Sequence, residues 1–161
     1  MWFLEYLQYL ILPLGVTFVI TWLIGFERQN IGKAAGISPH VLIAMSACAL
    51  AIMQKEVDGG STASGQRVIA QLVTGIGFLG AGVIMKSEKT VKGLTTATTV
   101  FSCAILGIII GSGFYAIGIT LGVFIIGFMY IRDIYRHLNP LNHHNSIPNS
   151  NLDDEKHTDL K

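Results

Sequence analysis

The stretch from Gly93 to Ile131 reads GLTTATTVFSCAILGIIIGSGFYAIGITLGVFIIGFMYI and contains no Asp, Glu, Lys, Arg or His. A helix that crosses the hydrocarbon core of a membrane needs about 20 mostly apolar residues, so this stretch is long enough for two such helices. Gly111-Ser112-Gly113 lies near its middle and predicts a tight turn. We therefore expect membrane-spanning helices at about 93–110 and 114–131.

Three further apolar runs precede this stretch and predict helices at about 6–26, 38–54 and 68–85. The 161-residue chain is 51% hydrophobic and 13% charged, whereas soluble domains carry about 25% charged residues. The sequence therefore predicts an all-α membrane protein, a compact bundle of about five transmembrane helices over residues 1–137. Residues 138–161 are polar and predict a short disordered cytoplasmic tail.

Composition also argues against several classes of function. The net charge of +1 excludes the dense basic surface of a nucleic-acid-binding protein. No nucleophile lies near a base in a catalytic pattern, so we expect neither an enzyme nor a cofactor.

Cys48 and Cys103 lie within apolar runs and are interpreted as packing residues. No basic segment precedes the first apolar run, which we expect to be a retained helix and not a signal peptide.

The Lys and Arg residues between the apolar runs predict the orientation of the chain in the membrane. One side carries the larger set, which is Arg28, Lys33, Lys86, Lys89, Lys92, Arg132 and Arg136. The other side carries Lys55 and Arg67. Because positive residues are enriched in cytoplasmic loops, we expect the N-terminus outside the cell and the C-terminus in the cytoplasm.

Residues 75–80 read GIGFLG and match the glycine pattern of dinucleotide-binding folds. That pattern requires a preceding strand and an acidic residue about 20 positions later, and the sequence predicts neither. We interpret the glycines instead as a helix-packing seam, since small residues let membrane helices approach closely. The members of this seam are Gly75, Gly77, Gly80 and Gly82. Gly107 and Gly111 are four residues apart and predict another close contact.

Two stripes of polar residues lie within the predicted helices. They are Arg67, Gln71 and Thr74 on the third helix, and Thr95, Thr99 and Ser102 on the fourth, with Thr96 and Cys103 beside them. Polar side chains inside a membrane face other helices or water. The stripes therefore predict either hydrogen bonds between helices or a polar cavity that an ion could follow, and the sequence leaves both alternatives open.

Charged residues cluster at two of the predicted connections. Glu27, Arg28, Lys33 and His40 surround the turn between the first two helices. There they could be ordinary flanking charges or could form a functional cluster. Glu56 and Asp58 lie at the predicted external loop, where two carboxylates could attract a divalent cation. Two acidic residues are weak evidence for a metal site.

Three short blocks combine glycines with charged or polar residues. They are GFERQ at 25–29 with Gly32-Lys33, Gly36 and His40, RVIAQ at 67–71 with GIGFLGAGVI at 75–84, and KGLTTA at 92–97. In this order they resemble the three signatures of the MgtC/SapB family, over roughly residues 25–97. The resemblance implies a multi-pass protein of the bacterial inner membrane with a five-helix domain.

The resemblance also suggests a function. Members of the family are associated with growth at low magnesium and with virulence, and the best-described member binds and inhibits the F-type ATP synthase. Others are named as magnesium transporters. We therefore expect a regulator in the lipid bilayer that binds another membrane complex, and a homo-oligomer is left open. A magnesium or other cation transporter or channel is the alternative. The residues expected to act are Glu27, Arg28, Lys33, His40, Arg67, Gln71, Lys92 and Thr95.

Two departures from the family pattern limit what can be carried over. Ser38-Pro39-His40 stands where the family usually has Arg-Thr-His, so no role of that Arg and Thr applies here. Many members also have a soluble C-terminal domain, and the sequence resembles a short form that lacks it.

Overall fold

The computed structural model of the protein describes residues 2–57, 62–86 and 91–138. These residues form five α-helices and one two-stranded antiparallel hairpin. In chain order they are α1 (Trp2–Asn30), α2 (Ile37–Val57), α3 (Thr62–Val83), β1 (Met85–Lys86), β2 (Val91–Lys92), α4 (Leu94–Gly111) and α5 (Tyr115–Leu138). The predicted tail beyond Leu138, and Asp58, lie outside the described residues.

Each of the five helices contains a segment long and apolar enough to cross a membrane. These segments are Leu7–Asn30, Ile37–Glu56, Gly65–Val83, Leu94–Gly111 and Tyr115–Tyr135. The predicted five-helix membrane bundle is confirmed. The helices extend past several predicted ends because a helix satisfies its own backbone hydrogen bonds, so it continues through polar flanking residues that hydropathy alone excludes.

The predicted turn after α4 is a helix-capping motif centred on Gly113. This residue has a φ of 95°, a left-handed conformation that glycine adopts without steric cost. Its N–H donates to the carbonyl of Ile110 at 2.9 Å, and the N–H of Phe114 donates to the carbonyl of Ile109 at 3.1 Å. This pair of bonds is the Schellman motif, which ends α4 and lets α5 begin at Tyr115.

The centre of the bundle is a close contact between α2 and α4. A Cβ atom on Gly107 would collide with the carbonyl oxygen of Ala44, and one on Gly111 would collide with that of Cys48. The two helix backbones therefore touch along one full turn. This confirms the close contact predicted from the spacing of Gly107 and Gly111, and it leaves Ala44 and Cys48 fully buried.

Three of the four glycines in the seam predicted along α3 contact no other helix of the described chain. A Cβ atom added to Gly75, Gly77 or Gly82 would meet nothing within 4 Å, and at Gly80 it would lie 3.8 Å from Cβ of Ala97. The helix packs instead through apolar side chains against the core formed by α2 and α4. These side chains are Ile69, Leu72, Val73 and Ile76. Within the described chain α3 therefore packs through its larger apolar side chains, and the glycine seam stays a prediction.

A short hairpin that the sequence did not predict joins α3 to α4. Met85 pairs with Lys92, and Lys86 pairs with Val91. Gly93 follows the hairpin with a φ of 86°, and its backbone contacts the carbonyl group of Val83. The hairpin therefore holds the end of α3 against the beginning of α4.

The chain divides into two compact units, one ending at Phe128 and the other starting at Met129. Within the first unit, the N-terminal half of α5 packs through two glycines. Gly118 lies against the side chain of Ile110, and Gly122 lies against that of Ile20. The described part of the second unit is the C-terminal end of α5, residues 129–138.

Candidate functional site

The ends of α1, α2 and α4 meet at one end of the bundle. Helix α1 ends in a second Schellman motif, in which Gly32 has a φ of 67° and the N–H of Lys33 donates to the carbonyl of Arg28 at 3.1 Å. The chain then turns back, and a Cβ on Gly25 would lie only 2.6 Å from Cα of Ile37. The glycines at 25 and 32 thus bring the start of α2 directly onto the last turns of α1.

Arg28 connects α1 to α4 from a fully buried position. Its side chain has 0% exposure, and Nη2 donates a hydrogen bond to Oγ1 of Thr96 at 2.8 Å. Glu27, Arg28 and Lys33 each take part in a further interaction as well. A charge removed from water is costly unless it is hydrogen-bonded or paired, so the arrangement depends on the Thr96 hydroxyl being in place.

His40 connects α2 to α4 in the same region. Its ring is also 0% exposed. Nδ1 lies 2.7 Å from the carbonyl oxygen of Gly36, and Nε2 lies 3.2 Å from Oγ1 of Thr99. Because a carbonyl only accepts hydrogen bonds, Nδ1 carries a proton and donates it to Gly36. The histidine therefore bridges the turn before α2 and the second turn of α4.

The hydroxyl of Thr99 has two neighbours to which it could donate its proton. Oγ1 of Thr99 also lies 2.9 Å from the carbonyl oxygen of Thr96, and a hydroxyl has only one proton to donate. When Thr99 donates to Nε2, His40 is neutral. When Thr99 donates to the Thr96 carbonyl, Nε2 must donate to Thr99 and His40 is protonated. The direction of the Thr99 hydroxyl therefore decides which hydrogen bond Nε2 of His40 makes.

We name Arg28, His40, Thr96 and Thr99 the helix-end cluster. Arg28, His40 and Thr95 are all predicted functional residues, but the hydroxyl that Arg28 contacts belongs to Thr96 and not to Thr95. Thr95 is exposed and accepts, through its carbonyl, a hydrogen bond from Thr98. The two adjacent threonines are chemically identical, so only the rotation of α4 decides which of them faces Arg28.

The remaining predicted residues fall into two groups. Glu27 and Lys33 are half-buried and Lys92 is exposed. Glu27 lies in the last turns of α1, Lys33 follows α1, and Lys92 lies in β2 just before α4. Arg67 and Gln71 are exposed on α3. Val83, which contacts Gly93, is about 24 Å along that helix from Arg67. The structure therefore separates Arg67 and Gln71 from the other predicted functional residues, whose roles stay predictions.

The burial of Arg28 could have been predicted from a row of residues along one face of α1. Thr17, Thr21, Ile24 and Arg28 follow one another at helical spacing, and all four are buried at 1% exposure or less. Oγ1 of Thr21 donates to the carbonyl of Thr17 at 2.7 Å. Two threonines four residues apart in an apolar run mark the inward face of the helix, and Arg28 continues that face.

The predicted metal site gains no support from the part of the chain that the structure describes. Within it, no three His, Cys, Asp or Glu side chains come together as a metal-binding group. Glu56 is exposed in the last turn of α2, and Asp58 is outside the described residues. A cation site at Glu56 and Asp58 stays a prediction.

The contact between Arg28 and Thr96 leads to a testable expectation. Thr96→Val keeps the shape of the side chain but removes the hydroxyl that accepts from Arg28, so we expect the free energy of unfolding to fall by about 2 kcal/mol. Thermal unfolding of the purified protein in lipid nanodiscs measures this. Thr95→Val is the matched control and should change stability by about 0.5 kcal/mol or less. Equal effects at the two positions would contradict the assignment of Thr96 as the buried partner.

The sequence is similar to those of several known proteins. A model of the MgtC family matches residues 14–137. Protein MgtC of Brucella abortus is 41% identical over 113 residues, which cover 70% of this chain and 47% of that protein. The putative magnesium transporter YhiD of Escherichia coli is 42% identical over 103 residues, which cover 60% of this chain and 47% of that protein.

A third relative has a lower sequence identity. Protein SapB of Bacillus subtilis is 35% identical over 113 residues, which cover 66% of this chain and 49% of that protein. The chain spans about half the length of the curated relatives it matches. No solved structure matches it.

Proposed function

Because the chain belongs to the MgtC family of multi-pass bacterial membrane proteins, we propose that it is a membrane regulator of adaptation to low magnesium that acts by binding another membrane complex. The F-type ATP synthase is the first partner to test. The family match over residues 14–137 supports the link to MgtC, and the name of the Escherichia coli relative supports the link to magnesium.

The packing of the bundle centre is the observation that carries this proposal. The backbones of α2 and α4 touch at Gly107 and Gly111, and this contact fills the space where a path between them would run. Magnesium keeps several of its waters and binds through carboxylates. A centre filled by backbone contacts suits a rigid scaffold better than a path for a hydrated ion.

The surface around the helix-end cluster is where a partner would bind. Arg28 and His40 are fully buried and so act by holding the helix ends together. Lys92 and Thr95 are exposed and Lys33 is half-buried, so their side chains are the ones available to a partner. The proposal therefore separates residues that stabilise the surface from residues that contact the partner.

Removal of one exposed charge tests this separation. We expect Lys92→Gln to weaken inhibition of the partner about tenfold, the effect of about 1.4 kcal/mol of binding free energy, with a normal amount of protein. The measurement is ATP-driven proton pumping in inverted bacterial membrane vesicles, followed by a pH-sensitive dye. Lys55→Gln is the matched control, since Lys55 is exposed at the opposite end of α2.

Three outcomes decide between the proposals. Inhibition by the normal and Lys55→Gln forms, and weaker inhibition by Lys92→Gln, supports a regulator that uses this surface. Equal inhibition by all three forms supports the regulator and rejects the surface. If no form inhibits at levels well above that of the ATP synthase, that complex is not the partner.

A cation transporter is the second candidate, favoured by the name of the Escherichia coli relative YhiD. It predicts magnesium entry into proteoliposomes that contain only this protein, measured with a magnesium-sensitive dye inside them. Glu56 is an exposed carboxylate at the end of α2, so Glu56→Gln should slow that entry. Magnesium entry that depends on Glu56 would replace the regulator as the proposed function.

A further inference from the structure

The exposed side of α3 is more polar than expected for a helix surface that faces lipid, and its apolar side faces the protein. Its apolar side chains, including Ile69, Leu72 and Ile76, pack inward against the core. The opposite side combines polar and small residues with one aromatic ring, and all of them are exposed. We name this side the outer face of α3, formed by Arg67, Gln71, Thr74, Gly75, Phe78 and Gly82.

Gln71 is the residue that makes an empty outer face unfavourable. It lies about 9 Å along the helix from Gly65, where the membrane-spanning segment begins. Among the described residues its amide has no hydrogen-bond partner, whereas the hydroxyl of the neighbouring Thr74 donates to the carbonyl of Ala70 at 2.9 Å. An amide in hydrocarbon without a partner is costly, so another protein surface should cover Gln71.

We propose that the outer face of α3 binds the same face of a second copy of this chain, which forms a two-fold symmetric dimer in the membrane. A two-fold axis places identical residues opposite one another. A glutamine amide both donates and accepts hydrogen bonds, so two copies of Gln71 satisfy each other. At Gly75 and Gly82 an added Cβ would meet no other element of the described chain within 4 Å, which leaves room for the second helix.

Charge favours a second copy over a different protein at this surface. Arg67 is the one charged residue of the outer face, and it lies one turn inside α3. Glu56 is exposed at the end of α2, at the same end of the bundle because residues 58–61 alone separate the two helices. A second copy in the same orientation brings another Glu56 to this end of the bundle, so the two-fold arrangement supplies carboxylates beside both copies of Arg67.

Cysteine cross-linking in lipid vesicles tests the surface. The natural Cys48 and Cys103 are both 0% exposed, so the normal protein should give no cross-linked dimer under copper-catalysed oxidation. Thr74→Cys should cross-link to its own copy, because residue 74 is exposed on the outer face of α3, one turn from Gln71. Val123→Cys is the control, since Val123 is 65% exposed on α5. Cross-linking at residue 123 alone, or at neither position, would overturn the proposal.

A second measurement tests the role of Gln71. Gln71→Leu should raise the protein density needed for half-dimerisation about three- to tenfold, measured by counting photobleaching steps of labelled protein in vesicles. Gln8→Leu is the matched control, as Gln8 is exposed on α1, and it should leave that density unchanged. A monomer at every density would overturn the dimer. Because these experiments contain no ATP synthase and no magnesium gradient, their failure leaves the proposed regulator and its tests unaffected.

Discussion

Gly107→Leu is expected to prevent the protein from folding stably in the membrane. A Cβ at this position would collide with the carbonyl oxygen of Ala44, and a backbone carbonyl in a helix cannot move aside without breaking its own hydrogen bond. The α2 and α4 backbones would have to separate along the whole turn that also contains Gly111. We expect a loss of about 3 kcal/mol or more in the free energy of unfolding, or about 10 °C in Tm.

Two measurements check this result. Immunoblots of membrane fractions report the amount of protein that accumulates, and thermal unfolding in nanodiscs reports the Tm. Gly15→Leu provides the matched control, because Gly15 is exposed on α1 and a Cβ there would meet nothing within 4 Å. If Gly15→Leu lowered Tm and protein amount as much as Gly107→Leu, the contact between α2 and α4 would not be the reason.

Arg28→Ala is expected to produce the second largest loss of stability. The change removes a fully buried side chain and the 2.8 Å bond to Thr96, and it leaves a cavity where α1, α2 and α4 meet. A hydrogen bond to a charged group and a cavity of this kind together contribute about 3 kcal/mol. Thermal unfolding in nanodiscs should therefore show a fall in Tm similar to that of Gly107→Leu.

Two further variants separate the loss of the buried guanidinium from the loss of a positive charge. Arg28→Lys keeps the charge but loses the planar guanidinium that reaches Thr96, so its Tm should lie between those of Arg28→Ala and the normal protein. Lys92→Ala removes an exposed charge and should change stability by about 0.5 kcal/mol or less. A loss in Lys92→Ala as large as in Arg28→Ala would show that charge at this end of the bundle, and not burial, sets stability.

These two expectations change how loss of function in a variant is interpreted. Substitutions at Arg28 or Gly107 should reduce activity through the amount of folded protein, whereas substitutions at Lys92 should reduce it at a normal amount. Protein levels must therefore be measured beside activity before any residue of the helix-end cluster is assigned a role in binding a partner.

The sequence by itself determined the number of helices, their membrane-spanning character and the family. Insertion of a helix into a membrane depends on the summed polarity of about 20 consecutive residues, so the charge-free stretch 93–131 is sufficient to predict α4 and α5. The turn at Gly111-Ser112-Gly113 is equally local, since the capping bonds of Gly113 join residues that are close in the chain. Local properties of this kind can be obtained directly from residue order.

Only the tertiary structure decided which residues face one another. Thr96 and not Thr95 receives the Arg28 hydrogen bond, and Gly107 rather than Gly77 lies against another backbone, although the sequence presents each pair as equivalent. The physical reason is that these contacts depend on the rotation of each helix about its own axis and on its neighbours. That rotation is set by packing between segments as far apart in the chain as Arg28 and Thr96, which no local pattern contains.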